Sequence, residues 1–159
     1  MFYFLGCSFE AQVNGIKIPR QFIVGDAEEY ELHGFSDASM ICGGACIYVR
    51  SIKSDGTITT LLVCAKSKIA PLQEMTISRK ELCVAVLLSR LIIKVVKALQ
   101  IEFKRICLWS DSQIVLAWLK KPPAMLLSFV RNRVVEFTKD NGHTDWNYLR
   151  SKVNPADVI

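Results

Sequence analysis

The segment LHGFSDAS, residues 32–39, reads as a short strand that runs into a bend. Leu32 and Phe35 are apolar, while residues 37–39 are small and polar, as is typical of a strand end. A carboxylate at the end of a central strand faces the crevice of a sheet, where ligands bind, and its burial is tolerable only beside a cation or hydrogen-bond donors. Taken alone, however, Asp37 is better explained as the cap of a turn.

Three later acids change that interpretation, because they recur at the same kind of position. Glu81 lies at the head of a long apolar helix, Asp111 follows a strand-like run, and Asp157 lies at a helix start. Acids at strand ends and helix N-termini of an α/β unit can converge as hard oxygen ligands for Mg²⁺. The joint pattern therefore favours a metal site at one edge of a sheet.

Each of these acids also has a purely structural explanation. Residues 78–81, SRKE, fit a capping box in which the Glu81 side chain reaches back along its own helix. Asp111 and Ser112 fit the cap of the next helix, and Asp157 fits a first-turn acid favoured by the helix dipole. Glu81 also begins the apolar stripe of its helix, which favours a ligand role over a cap.

Length and composition indicate one globular unit. A chain of 159 residues with 51% hydrophobic residues can bury a sizeable core. The net charge of +5 favours a polyanionic partner if the basic residues cluster. The six cysteines, several of them in apolar runs without a secretory signal, predict a reduced intracellular protein, and charged residues interrupt the one long apolar run, 82–99.

The hydrophobic pattern predicts three antiparallel strands, a helix, a strand, helices and a last strand. The predicted strands cover residues 32–36, 44–52, 59–67, 105–109 and 144–149, and the predicted helices cover 78–100, 112–120 and 126–139. SDGT, residues 54–57, is a hairpin signal between the second and third strands. Asn154 and Pro155 predict the N-cap and first residue of a further helix.

Four short motifs resemble, in the same order along the chain, those of ribonuclease H. They are FSDAS (35–39), TISRKEL (76–82), WSDSQ (109–113) and NPAD (154–157). The spelling of HGFSDAS (33–39), SKIAPL (67–72) and NPAD further resembles ribonuclease H domains of BEL/Pao long-terminal-repeat retrotransposon polyproteins. The resemblance covers residues 30–159, and residues 1–29 are expected to be a linker or the tail of a preceding reverse transcriptase region.

The resemblance implies an α/β fold of the ribonuclease H type. We expect a five-stranded mixed sheet, three antiparallel strands followed by two parallel ones, flanked by helices. Ile159 follows Asp157 by two residues, so the family's final helix is expected to be truncated and Asp157 to be mobile, since an isolated helical turn is unstable.

The resemblance also implies an activity and its cofactors. Two Mg²⁺ ions, with Mn²⁺ as an alternative, are expected to be held by Asp37, Glu81, Asp111 and Asp157. The implied reaction cleaves the RNA strand of RNA/DNA hybrids during reverse transcription and leaves 3′-hydroxyl and 5′-phosphate ends. The expected partners are the hybrid and the reverse transcriptase domain of the same polyprotein, in a cytoplasmic retroelement particle, without a membrane partner.

Recognition of the hybrid is expected to depend on its backbone and 2′-hydroxyls, because Ile77 stands where cellular members place a base-contacting Asn. The candidate contacts are Ser39, Gln113, Lys120, Lys121, Arg131 and Arg133. For the four basic residues, a solvated helix face is an equally good explanation. His143 does not match the loop histidine of many cellular members and is expected to lie at the surface.

Two other classes of protein remain open on the sequence. A connection-type module would have the fold without turnover, although such a module usually loses the acids that are present here. A plain nucleic-acid-binding domain would bind with salt dependence and show no metal-dependent cleavage.

Overall fold

Five strands form one mixed sheet in the computed structural model, which describes residues 23–69, 75–140 and 144–158. They are β1 (Glu29–Ala38), β2 (Cys42–Ile52), β3 (Ile58–Ile69), β4 (Arg105–Ser110) and β5 (Thr144–Tyr148). Their order across the sheet is β3-β2-β1-β4-β5. β1, β2 and β3 pair antiparallel, whereas β4 pairs parallel with both β1 and β5. The predicted fold class is confirmed.

The first three strands form the predicted meander. The turn between β2 and β3 places Gly56 at φ 81°, a left-handed conformation that favours glycine, and the backbone N–H of Thr57 donates to Asp55 Oδ1 at 2.8 Å. β1 is longer than the predicted 32–36, because it pairs with β2 along its whole length and places Asp37 opposite Gly44.

Three α-helices accompany the sheet: α1 (Ile77–Leu99), α2 (Gln113–Lys120) and α3 (Ser128–Asp140). A short 3₁₀ turn, Pro123–Met125, separates α2 from α3, since the proline pair forbids continuation of α2. The predicted apolar stripe of α1 is buried at Ala85, Leu88, Ile92 and Val95. None of the helices in the described ranges is long and apolar enough to cross a membrane.

Glycine allows α1 to lie close to the sheet. A Cβ atom built on Gly34 of β1 would lie 2.8 Å from Leu88 Cδ1 of α1 and 2.9 Å from Leu108 Cδ2 of β4. Real Cβ atoms essentially never make contacts that short, so a side chain there would force the Leu88 and Leu108 side chains to shift. The absence of a side chain at Gly34 therefore allows close packing between β1 and α1, which carry Asp37 and Glu81.

A second apolar cluster joins the three helices. Its buried members are Leu82, Ala85, Val115, Leu126, Val130 and Val134. Because α2 contributes Val115, this cluster holds the beginning of α2 against the N-terminal part of α1. It thereby brings the residues that follow β4 towards Glu81.

The capping box that residues 78–81 allowed as an alternative explanation does not form. The N-cap of α1 is Thr76, which makes no side-chain capping bond, and Ser78 lies inside the helix. The Glu81 carboxylate instead accepts a hydrogen bond from Ser112, outside its own helix. A tertiary contact replaces the local capping bond, because the Ser112 hydroxyl comes within reach of the Glu81 carboxylate once α2 packs on α1.

The chain after β5 ends in tight turns. A 3₁₀ turn covers Pro155–Val158, where the sequence predicts a helix start, and Asn154 Oδ1 accepts the backbone N–H of Ala156 at 3.1 Å, as expected of an N-cap. Residues 1–22 of the predicted linker and His143 lie outside the described residues, so the predicted boundary at residues 29–30 stays a prediction.

Candidate active site

The parallel pairing of β1 and β4 brings two of the predicted acids to one edge of the sheet. The last paired residues are Ser36 and Ser110, and the next residues along the chain are Asp37 and Asp111. The backbone N–H of Leu149 donates to Ser110 O at 3.0 Å, so the segment after β5 reaches the same edge. Carboxyl ends of parallel strands are where ligands bind in α/β folds.

Asp37 is half-buried among other acids. The backbone N–H of Ala38 donates to Asp37 Oδ1 at 2.8 Å. Burial, the charge of Asp111 and a hydrogen bond with the Asp157 carboxyl together raise the pKa of Asp37 to about 6, with burial as the largest cause. Asp111 and Asp157 are therefore close enough to influence the ionisation of Asp37.

Asp111 combines one hydrogen-bonded oxygen and one oxygen without a partner. Its Oδ2 accepts a hydrogen bond from the Ser151 hydroxyl. Its Oδ1 is buried and accepts no hydrogen bond from the described part of the chain. A buried carboxylate oxygen without a donor is costly, and a cation is the partner that suits it.

Glu81 approaches the same site from α1. Its Oε2 accepts a hydrogen bond of 2.6 Å from Ser112 Oγ. Burial raises the pKa of Glu81 and the charge of Asp111 adds to this, while the Ser112 hydrogen bond acts in the opposite direction. Ser112 Oγ also accepts the backbone N–H of Val115 at 3.3 Å, so the N-cap of α2 orients the Glu81 carboxylate.

Asn154 ties the turn that carries Asp157 to β1. Its side chain is almost fully buried, and Nδ2 donates to the carbonyl oxygen of Ser36 at 3.1 Å. Its Oδ1 accepts from Ala156 in the same turn. One amide thus connects the backbone beside Asp37 with the backbone beside Asp157.

The structure places all four predicted acids near this edge. Besides burial, Asp111 and Asp157 raise the pKa of Asp37, and Asp111 raises the pKa of Glu81. Within the described ranges, no three acidic, histidine or cysteine side chains converge at the spacing of a formed metal site. The donor set nevertheless fits a divalent cation, because it consists of carboxylate oxygens that repel one another and includes the partnerless Oδ1 of Asp111.

The sequence did not predict that three polar residues would orient the acids of this site. Ser112 and Asn154 were recognised only as caps, and Ser151 was not singled out. Ser112 and Asn154 stand inside the motifs that contain the acids, which was a usable signal. Ser151 gives no signal, because its contact with Asp111 spans 40 residues.

The predicted hybrid contacts lie in different surroundings. Ser39 Oγ accepts the backbone N–H of Cys42 at 3.1 Å and so stabilises the β1–β2 turn. Gln113 is exposed at the first position of α2, next to the acidic edge. Lys120, Lys121 and Arg131 are exposed. This geometry does not test whether these residues contact a nucleic acid, so their assignment as hybrid contacts stays a prediction.

Arg133 is held by the protein. Its guanidinium lies 3.5 Å from the centre of the Phe129 ring, and its Nε donates to Cys83 Sγ at 3.2 Å. These contacts make Arg133 part of the packing between α1 and α3, in addition to its predicted role.

The antiparallel meander followed by two parallel strands, with acids at the shared strand ends, defines a ribonuclease H-like domain. The family model for the Pao retrotransposon-like RNaseH-like domain matches residues 7–112, and the chain belongs to this family. The match includes Asp37, Glu81 and Asp111, and it ends before Asp157. The predicted family is confirmed.

Solved structures of ribonucleases H resemble the fold. LC11-RNase H1, isolated from compost by a metagenomic approach, is 12% identical with a TM-score of 0.51, over 82% of this chain and 91% of that chain. RNase H1 from the halophilic archaeon Halobacterium salinarum NRC-1 is 15% identical with a TM-score of 0.49, over 82% and 92%. No curated protein matches the sequence. At these identities the likeness concerns the fold alone.

Proposed function

We propose that this domain is a divalent-metal-dependent ribonuclease H that hydrolyses the RNA strand of RNA/DNA hybrids during retrotransposon reverse transcription. The observation that carries the proposal is the placement of Asp37 and Asp111 at the edge where β1 and β4 end, with Glu81 and Asp157 near enough to interact electrostatically with them. Family membership supports the retroelement setting, with the reverse transcriptase domain of the same polyprotein as partner.

The four carboxylates would hold two Mg²⁺ or Mn²⁺ ions. When bound, such ions supply an activated water and stabilise the charge of the leaving oxygen. The expected products carry a 3′-hydroxyl and a 5′-phosphate. The partnerless Oδ1 of Asp111 supports a cationic occupant, and so does the raised pKa of Asp37, which reflects burial first and the charge of Asp111 second.

The chain's own residues orient this donor set. Ser112 holds the Glu81 carboxylate and Ser151 holds the carboxylate of Asp111. Asn154 fixes the turn of Asp157 against β1. Positioning by such hydrogen bonds matters, because ligands held in place need no rearrangement when a substrate phosphate arrives.

Cleavage of an RNA/DNA hybrid tests the proposal directly. With the RNA strand labelled, magnesium should produce RNA fragments from the hybrid, while duplex RNA, duplex DNA and chelated samples stay intact. Asp111→Asn should remove the activity, whereas Asp145→Asn, which changes an exposed acid of β5, should retain it. Salt-dependent binding without cleavage would instead identify a nucleic-acid-binding domain, and the absence of both would favour a connection-type module.

A further inference from the structure

A groove of about 180 Å³ lies beside the acidic edge. It runs between the start of β2, the end of β3 and the N-terminal half of α1, and Ala38, the neighbour of Asp37, lines one end. Four of its lining residues are basic: Lys68, Lys80, Arg90 and Arg133. No acidic residue is among the described residues that line it.

Lys80 is the most unusual of these cations, because its side chain is buried. The residue is 8% exposed, and Nζ donates to the backbone carbonyl of Met40 at 2.6 Å. It forms no ion pair with any described carboxylate. A buried ammonium with a neutral partner is costly, and its position in the first turn of α1 adds the positive end of the helix dipole. Both effects favour an anion in the groove.

Arg133 and Lys68 add positive charge without a carboxylate partner in the described ranges. Arg133 donates Nε to Cys83 Sγ and Nη1 to the carbonyl of Phe129, so two of its five N–H donors are used. Lys68 is exposed near the end of β3 and forms no ion pair among the described residues. Arg90, in contrast, pairs with Glu136 of α3 and is already neutralised.

We infer that this groove binds a phosphate group through Lys68, Lys80 and Arg133. A phosphate offers several strong acceptor oxygens to lysine and arginine donors in one place, which suits cations that come from β3, α1 and α3. Where the phosphate belongs to a nucleic-acid backbone, the inference rests on the proposed function, and the groove would position a strand next to the acids. A free phosphate or nucleotide presents the same chemistry.

The test compares Lys68→Gln, Lys80→Gln and their combination with Lys94→Gln, an exposed lysine of α1 that does not line the groove. Hybrid affinity is measured over a range of salt concentrations in chelator, so that no cleavage occurs. The slope of log affinity against log salt should become shallower by about 0.7 to 0.9 for each lost phosphate contact. Lys94→Gln should match the wild type. If Lys80→Gln does not fold, Lys68→Gln carries the comparison, because Lys68 is exposed.

A measurement with inorganic phosphate distinguishes a phosphate of the nucleic-acid backbone from a free phosphate. If the salt slopes are equal, but phosphate raises the melting temperature of the wild type and not of Lys80→Gln, the groove binds free phosphate. Equal slopes together with no phosphate effect would overturn the inference, even if the wild type cleaves hybrids. If the lysine variants have shallower salt slopes but the wild type does not cleave hybrids, phosphate binding in the groove is supported and the proposed nuclease activity is refuted.

Discussion

Asp37 titrates differently in the folded chain from an ordinary aspartate. Its pKa is raised from 3.8 to about 6, with burial as the largest cause. The folded state therefore retains a proton that the unfolded chain has already released. As pH rises from about 4 to about 6, the free energy of unfolding should fall, which is the opposite of the behaviour of a salt-bridged aspartate.

Asp37→Asn should flatten that pH dependence and stop catalysis. In chelator, urea unfolding from pH 4 to pH 7 should show a smaller loss of stability in the variant than in the wild type, because the repelling charge is gone. Hybrid cleavage in Mg²⁺ should fall by at least about 100-fold, the scale on which removal of one group that stabilises the transition state acts. Parallel pH curves would contradict the charge argument, and wild-type turnover would contradict the metal assignment.

Asn154→Ala should weaken both the fold and the site. It removes an N-cap and leaves a buried backbone carbonyl without this donor, so the free energy of unfolding should drop by about 1–3 kcal/mol. More Mg²⁺ should then be needed for half-maximal cleavage, because the Asp157 turn is no longer held against β1. Asn147→Ala is the matched control, since the hydrogen bond of its side chain within the described residues is local, to the carbonyl of Asp145. Equal magnesium requirements in the two variants would argue against a positioning role.

At the residue scale, the sequence was sufficient to predict that the four acids lie near one edge of the sheet and insufficient to predict their hydrogen-bond partners, while their metal-binding role stays a prediction. The acids stand in recognisable local motifs beside strand and helix signals. The contact from Asn154 to Ser36 spans 118 residues, and no local pattern encodes which carbonyl a buried amide will reach. Such contacts follow from strand order, which the chain acquires only on folding.

At the scale of elements, the close packing of α1 on β1 depends on Gly34, which has no side chain. Gly34→Ala should destabilise the fold by about 1–3 kcal/mol through overpacking against Leu88 and Leu108. It should also slow cleavage, since Asp37 and Glu81 lie on the two elements whose packing would be disturbed. Chemical denaturation and hybrid cleavage would measure the two effects. Gly25→Ala, at a position with open space, should change neither, and a neutral Gly34→Ala would show that the core relaxes.

Elements were easier to predict than their ends. The period of α1 correctly identified its buried stripe, because one face must pack on the sheet. Its start was predicted one residue late, and the capping box that SRKE allowed does not form, because the Glu81 carboxylate accepts from Ser112. The hairpin signal at Gly56 was reliable, because the left-handed turn requires a particular residue.

At the scale of the whole molecule, the net charge of +5 should govern the affinity for nucleic acids. Replacing Lys120 and Lys121 by glutamine should weaken binding to all hybrid sequences equally and reduce the salt slope by about one to two phosphate contacts. Both lysines are exposed where α2 ends, so stability should not change. Binding assays in chelator at several salt concentrations would measure this, with Lys97→Gln on α1 as the control. An unchanged slope would remove these lysines from the binding surface.

The pairing of β1 with β4 also affects when the acids of the site can come together as the chain is synthesised. Parallel strands need a crossover, and here β2, β3 and α1 all lie in the chain between the two partners. Asp157 arrives later still, after β5. A growing chain would therefore carry its first carboxylate long before the others. The four acids could come together only once β5 and the turn that follows it have been made, so the site would assemble in one late step, when that turn reaches Ser36.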